Sequence, residues 1–200
     1  MVTAQPPRSA PPKLITADEL LRMSKEEFHG ELIRGELCEV PPPGFLHERL
    51  VAKLIALLLT FAESRQLGLV VGGSGVWTER DPDTVRAPDV QFYSVERVPL
   101  EERRRGYLEI PPDLAVEVRS PRDSRDQVHD KAIMWLTIGV RMVWVVLPER
   151  RSIDVYRTDE DIMTITDANP LEGLDVLPGF SCSLEEIFGP APQVDAPAAR

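Results

Sequence analysis

The sequence predicts a single α/β (α+β) domain, a mixed β-sheet flanked by helices. Three patterns carry that prediction. Residues 47–66 repeat apolar side chains at helical spacing (Leu50, Leu54, Leu57, Leu58, Phe61), and Val51, Ile55 and Leu59 widen the stripe, so the helix is expected to be largely buried. Residues 141–147 form a nearly continuous apolar run, the pattern of a central strand covered on both faces. The order of the runs, two strands, a helix, then two more strands, calls for layers with a mixed sheet.

The elements follow in order. Thr16 with Glu19 three residues later marks a capped helix start. Residues 31–40 alternate around Gly35 and read as a short hairpin, broken by Pro41-Pro42-Pro43-Gly44. The long helix follows, with Gly68 as its expected end. Strands are expected at 69–71 and 76–79, a turn at Asp81-Pro82-Asp83, and one strand over 85–94. Residues 97–106 are charged and read as an exposed loop or short helix. A strand at 114–119 precedes a helix over 124–138, which Gly139 ends. After the central strand come a hairpin at 152–157 and 162–166 and a closing helical turn at 184–188.

Composition narrows the class. The chain has 200 residues, 42% of them hydrophobic and 28% charged, enough for one substantial core. Its mean hydropathy of -0.17 fits a soluble globular protein. No apolar run approaches the ~18 residues of a membrane span. Cys38 and Cys182 show no metal or disulfide spacing and read as reduced, buried thiols of a cytoplasmic protein. Residues 1–13 and 189–200, rich in Pro and Ala, read as disordered tails around a domain at 14–188. The formal net charge of -10 counts against tight, non-specific binding of nucleic acid. It does not exclude an enzyme whose site carries a local basic surface or a bound metal ion.

Two strands carry acids. Arg86-Ala87-Pro88-Asp89-Val90-Gln91-Phe92 and Pro112-Asp113-Leu114-Ala115-Val116-Glu117-Val118-Arg119 each place a carboxylate in a run that otherwise favours burial. A buried carboxylate without a partner is very costly. Two of them point to a divalent cation or a cationic partner between them, and oxygen ligands select Mg²⁺ or Mn²⁺. On the second strand Ala115, Glu117 and Arg119 share a face, while Val116, Val118 and Ser120 supply the other. On the following helix Gln127 and Lys131 share a stripe that Met134, Trp135 and Ile138 continue into the core. Lys131 is thereby placed to reach Glu117. Arg122 and Arg125, close to this region, are candidates for phosphate contact. The run Arg103-Arg104-Arg105 is nearly cancelled by neighbouring acids and reads as solvated surface.

These residues, taken in order, resemble the PD-(D/E)XK or restriction-endonuclease-like superfamily, and within it the Uma-type family of putative restriction endonucleases. The matching stretches are residues 31–37, His47, Ala87-Pro88-Asp89-Val90, residues 112–118, Ser120-Pro121, Lys131, Gly139-Val140 with Trp144, and Leu177-Pro178-Gly179-Phe180. The resemblance spans about residues 15–188. It implies a restriction-endonuclease-like core and Mg²⁺-dependent hydrolysis of phosphodiester bonds in DNA; separately, the sheet edges left available allow a homodimer, whose two sites would cut two strands. It also implies roles: Asp89 and Glu117 as metal-binding acids, the Val118 carbonyl as a further ligand, Glu31 as an accessory acid, and Lys131 as the motif's lysine.

One position departs from the motif. Where a lysine is expected two residues after the acid, the chain has Arg119. Arginine can stabilise phosphate charge but stays protonated and cannot act as a base. Plainer readings stand beside these. Asp89 after a proline also suits a strand end, and Glu117 with Arg119 also suits a structural ion pair. His47 fits helix capping or packing as well as substrate contact, and Gln127 fits water as well as the site. A nuclease fold that has lost catalysis and serves as a DNA- or protein-binding module is the alternative, as is a subunit of a larger assembly.

Overall fold

The computed structural model describes residues 13–24 and 26–191. Most of the two expected tails therefore lies outside the described residues. The elements are α1 (Ala17–Arg22), β1 (Gly30–Ile33), β2 (Glu36–Glu39), α2 (Phe45–Ser64), β3 (Gly68–Gly72), β4 (Val76–Glu79), β5 (Thr84–Arg86), β6 (Val90–Ser94), β7 (Leu114–Val118), α3 (Arg125–Thr137), β8 (Met142–Leu147), β9 (Ser152–Tyr156), β10 (Ile162–Ile165), β11 (Leu171–Glu172), β12 (Ser181–Cys182) and α4 (Leu184–Phe188). A single 3₁₀ turn, Pro148–Arg150, joins β8 to β9.

The main sheet has six strands in the order β10-β9-β8-β7-β6-β3. Only β7 and β8 run parallel, joined by the crossover helix α3; the other pairs are antiparallel. Every residue of β8 is buried, as its unbroken apolar run requires. Side chains on one face of this sheet pack against α2, whose Leu50, Leu54, Leu58 and Ala62 are fully buried among Val116, Val118 and Trp144. Each such leucine contributes about 1.5–3 kcal/mol relative to exposure. The opposite face, with Ala115, Val143 and Val145, packs against α3 through Val128, Ala132 and Trp135. The alternation expected along residues 115–118 is thus met: odd positions face α3 and even positions face α2.

Two expectations change. The strand anticipated over 85–94 is two strands in two sheets. β5 belongs to a separate four-stranded antiparallel sheet, β2-β1-β5-β4, and β6 belongs to the main one. Pro88 forces the division, because proline has no N–H to give a ladder. Gly68 does not end α2. The chain leaves that helix through Arg65 and Gln66, and Gln66 takes the left-handed conformation (φ 53°). Gly68 instead opens β3, where a Cβ would stand 1.9 Å from the Tyr93 carbonyl oxygen. Residues 97–106 take the loop form of the expected loop or short helix, pinned by the buried Val98. The ribbon of β11 and β12 leaves too short a pattern to be anticipated.

Helix starts are built alike at three places. α1, α3 and α4 each carry a reciprocal capping box: Thr16 with Glu19, Ser124 with Gln127, and Ser183 with Glu186.

The cysteines are free thiols, as expected. Cys38 is partly exposed rather than buried, and Cys182 is buried, which pushes its thiol up to about 12. In native protein at pH 8, a disulfide reagent such as DTNB is expected to titrate Cys38 and to reach Cys182 only after denaturant is added. Two equally fast thiols in the native state contradict this packing.

Candidate active site

The site forms where the two sheets meet. Extending the β6–β7 register by one residue sets Asp89 opposite Glu117, on the face that looks toward α3. One residue further, Val118 falls opposite Pro88, which has no N–H to offer the Val118 carbonyl. The Val118 N–H, pointing the same way, donates instead to Asp89 Oδ2 at 2.7 Å. Asp89 is fixed from the other side as well, since its carbonyl accepts the Gly73 N–H at 3.1 Å. The proline therefore ends the ladder where an oxygen-lined gap is needed.

Glu117 is 6% exposed, and α3 holds both its oxygens. Lys131 Nζ donates to Oε2 at 2.8 Å, and Trp135 Nε1 donates to Oε1 at 2.7 Å. Lys131 and Trp135 are one helical turn apart, so a single stripe of α3 supplies both donors. Burial pushes the Glu117 carboxyl up to about 7; the nearby charge of Asp89 adds to this, while Lys131 and Trp135 oppose it. Burial works against the Lys131 charge, but Glu117, then Glu31 and Asp89, override it and hold the ammonium above its ordinary value. The lysine side chain is 31% exposed, so its tip also reaches the solvent side of the gap.

Glu31 enters from β1 in the second sheet. Its carboxylate accepts Arg86 Nε and the Ala87 N–H, each at 3.2 Å. His47, in the first turns of α2, places Nε2 3.3 Å from Asp89 Oδ2. That hydrogen bond raises the His47 pKa, against the effect of burial. Its Nδ1 is buried without a hydrogen-bond partner, with Glu48 Oε1 at 3.4 Å.

The structure thus brings together Asp89, Glu117, Lys131, Val118, His47 and Glu31. It places four other candidates differently. Arg119 Nε and Nη2 donate to the Asp123 carbonyl at 3.1 and 2.9 Å, bracing the β7–α3 loop, and it makes no hydrogen bond or ion pair with Asp89 or Glu117. Gln127 spends its side chain in the Ser124 capping box. Arg122 and Arg125 are exposed on the rim beside the start of α3. Two contributors lay outside the sequence reading: Arg86, which anchors Glu31, and Trp135, which was counted only as core. A buried indole N–H usually finds an acceptor, and that tendency was the available signal.

The oxygens offered are those of Asp89, Glu117 and the Val118 carbonyl. Among the described residues, no group of three or more His, Cys, Asp or Glu side chains could by itself hold a metal ion. Mg²⁺, however, is commonly held by one or two carboxylates while keeping several waters. Two carboxylates facing each other across a strand pair, beside an open carbonyl, are a donor set that fits a hard cation. Next to it stands a lysine able to meet negative charge.

A mixed sheet between helices, with paired acids on adjacent strands and a lysine above them, defines the restriction-endonuclease-like class. Comparison with known proteins agrees. The family model described as "Uma2: Putative restriction endonuclease" matches residues 17–185, and the chain belongs to this family. A crystal structure described as a putative nuclease belonging to DUF820, from Anabaena variabilis ATCC 29413, is similar in fold, with a TM-score of 0.72 at 20% identity, over 87% of this chain and 97% of that one. Among curated proteins there is no significant match. Among the described residues no helix is long and apolar enough to cross a membrane.

Proposed function

We propose that this chain is a metal-dependent endonuclease that hydrolyses phosphodiester bonds in DNA. The observation that carries the reading is the cross-strand pair Asp89–Glu117, with Lys131 on the buried acid. Asp89, Glu117 and the Val118 carbonyl would hold Mg²⁺ or Mn²⁺. When bound, the ion would polarise the phosphate and make a bound water more acidic. Lys131, held charged by the three acids around it, neutralises charge that builds on the phosphate in the transition state. His47 and the Val118 N–H fix the Asp89 carboxylate. Glu31 adds negative charge near Lys131 and keeps it protonated. Arg122 and Arg125 on the rim supply the positive surface that an acidic chain otherwise lacks for DNA. Arg119, tied to the loop, serves by setting where α3 begins.

The test is nicking of supercoiled plasmid with Mg²⁺ or Mn²⁺ by wild type and Asp89→Ala purified in parallel, with EDTA controls. Metal-dependent nicking that the substitution abolishes is the expected result. Equal nicking by both proteins sinks the assignment. Two copies cutting the two strands would convert nicked circles to linear DNA, and light scattering on the eluted protein reads whether it is a dimer.

A further inference from the structure

The two side chains that hold Glu117 differ in kind. Lys131 carries a flexible ammonium and is 31% exposed, so it can turn toward a substrate. Trp135 is 0% exposed and wedged among Ala115, Val128, Val143 and Val145. Its indole has one donor and no acceptor, and that donor is aimed at Glu117 Oε1.

The same chain contains its own control. Trp144 is equally buried, in the core on the other face of the sheet, and its Nε1 has no partner. A tryptophan in this core therefore does not require an acceptor for its indole. The acceptor at position 135 is the acid of the proposed site.

Resting on the reading of that site as a metal centre, we infer that Trp135 is a positioning residue for Glu117. A glutamate has three rotatable bonds, and at 6% exposure little water is available to orient this carboxylate. The indole N–H, fixed by packing, locks Oε1. The carboxylate then stays opposite Asp89 even when Lys131 leaves Oε2 to meet a phosphate. Without the N–H, Oε1 is buried with no donor, and the carboxylate loses the rotamer that faces Asp89. Outer partners of ligating carboxylates commonly alter metal affinity or activity about 10–100-fold.

The experiment compares Trp135→Phe with Trp144→Phe. Both keep an apolar ring, and only the first removes a hydrogen bond to Glu117. Mg²⁺ binding is measured by calorimetry, and the Mg²⁺ concentration for half-maximal plasmid nicking is read separately. The expected result is Mg²⁺ binding weaker by about 10–100-fold in Trp135→Phe, a matching rise in half-saturating Mg²⁺, and wild-type values in Trp144→Phe. Unchanged binding in Trp135→Phe overturns the inference. So does an equal shift in both variants, which would mark a general effect of loosening the core. Wild type that binds Mg²⁺, with Trp135→Phe weakened, but cuts no DNA overturns the nuclease reading and leaves the inference standing. Wild type that binds no Mg²⁺ overturns both. If Trp135→Phe does not fold, the double variant Trp77→Phe/Trp144→Phe leaves Trp135 as the one indole of the original three. Its emission is expected to change with Mg²⁺, and an emission that stays constant while Mg²⁺ binds overturns the inference.

Discussion

Asp113→Ala is expected to lower the free energy of unfolding by about 3–5 kcal/mol, the range found when one partner of a buried ion pair is removed. Asp113 is 1% exposed. Its Oδ1 lies 3.1 Å from Arg97 Nε and 3.3 Å from Arg141 Nη1, and its Oδ2 accepts the Ser94 N–H at 2.8 Å. Arg97 also donates to the carbonyls of Pro111 and Gly139, and Arg141 pairs with Asp175. The carboxylate therefore joins the end of β6, the entry to β7 and the entry to β8. Removing it takes the buried carboxylate from two guanidinium groups and leaves the Ser94 N–H without its acceptor. A domain of this kind is stable by only about 5–15 kcal/mol, so the loss is a large fraction of the whole. Urea unfolding followed by circular dichroism reads the effect. Asp113→Asn should lose less, because its amide oxygen still accepts the Ser94 N–H. A midpoint for Asp113→Ala within about 1 kcal/mol of wild type contradicts the assignment.

Lys131→Met is expected to affect both function and stability. Plasmid nicking should fall about 10²–10³-fold, the usual cost of removing one preorganised electrostatic contact to a transition state. The stability change should depend on pH. Glu117 already has a folded pKa of about 7, above the ordinary value of 4.5. A carboxyl raised in this way favours the folded state below its unfolded pKa, and that advantage is lost as pH rises through the folded value. Taking away the Lys131 charge, which holds the pKa down, moves the loss to higher pH and deepens it. In metal-free buffer with EDTA, the variant should therefore lie close to wild type near pH 5, where its Glu117 is neutral. It should fall well below wild type near pH 8, where the acid must ionise without its partner. A stability difference that stays constant from pH 5 to pH 8 removes Lys131 from the role of counter-ion.

Much of the architecture was legible because periodicity reports burial. The unbroken run at 142–147 and the broad stripe of α2 each name the environment they need. The alternation at 115–118 also placed Glu117 on the face that α3 covers. What the pattern does not contain is where a chain changes sheets. Residues 85–94 alternate plausibly throughout, and only Pro88 signals a break. The two Pro-Asp dipeptides are a similar case. Pro88-Asp89 reaches the site, while Pro112-Asp113 anchors arginines, and nothing local to either dipeptide distinguishes them. Arg119 and Gln127 were read by strand and helix phase, which gives direction but not the nearest partner. Arg119 finds the Asp123 carbonyl, and Gln127 finds the cap at Ser124. The Ser124-to-Gln127 spacing is a capping signature that was present in the sequence.

The passage from one sheet to the other at residues 87–89 has an evolutionary consequence. Asp89, Glu117 and Lys131 are carried by the main sheet and its crossover helix, so their mutual distances survive any re-angling of the smaller sheet. Glu31 travels with that smaller sheet, attached through Arg86 and Ala87 at the junction. Lengthening β1 or β2, or remodelling the turn around Asp83, would shift one acid relative to an unaltered trio. Descendants of such a chain can thus vary the charge around the lysine, and the shape of the mouth, by editing a peripheral layer without rebuilding the part that performs the chemistry.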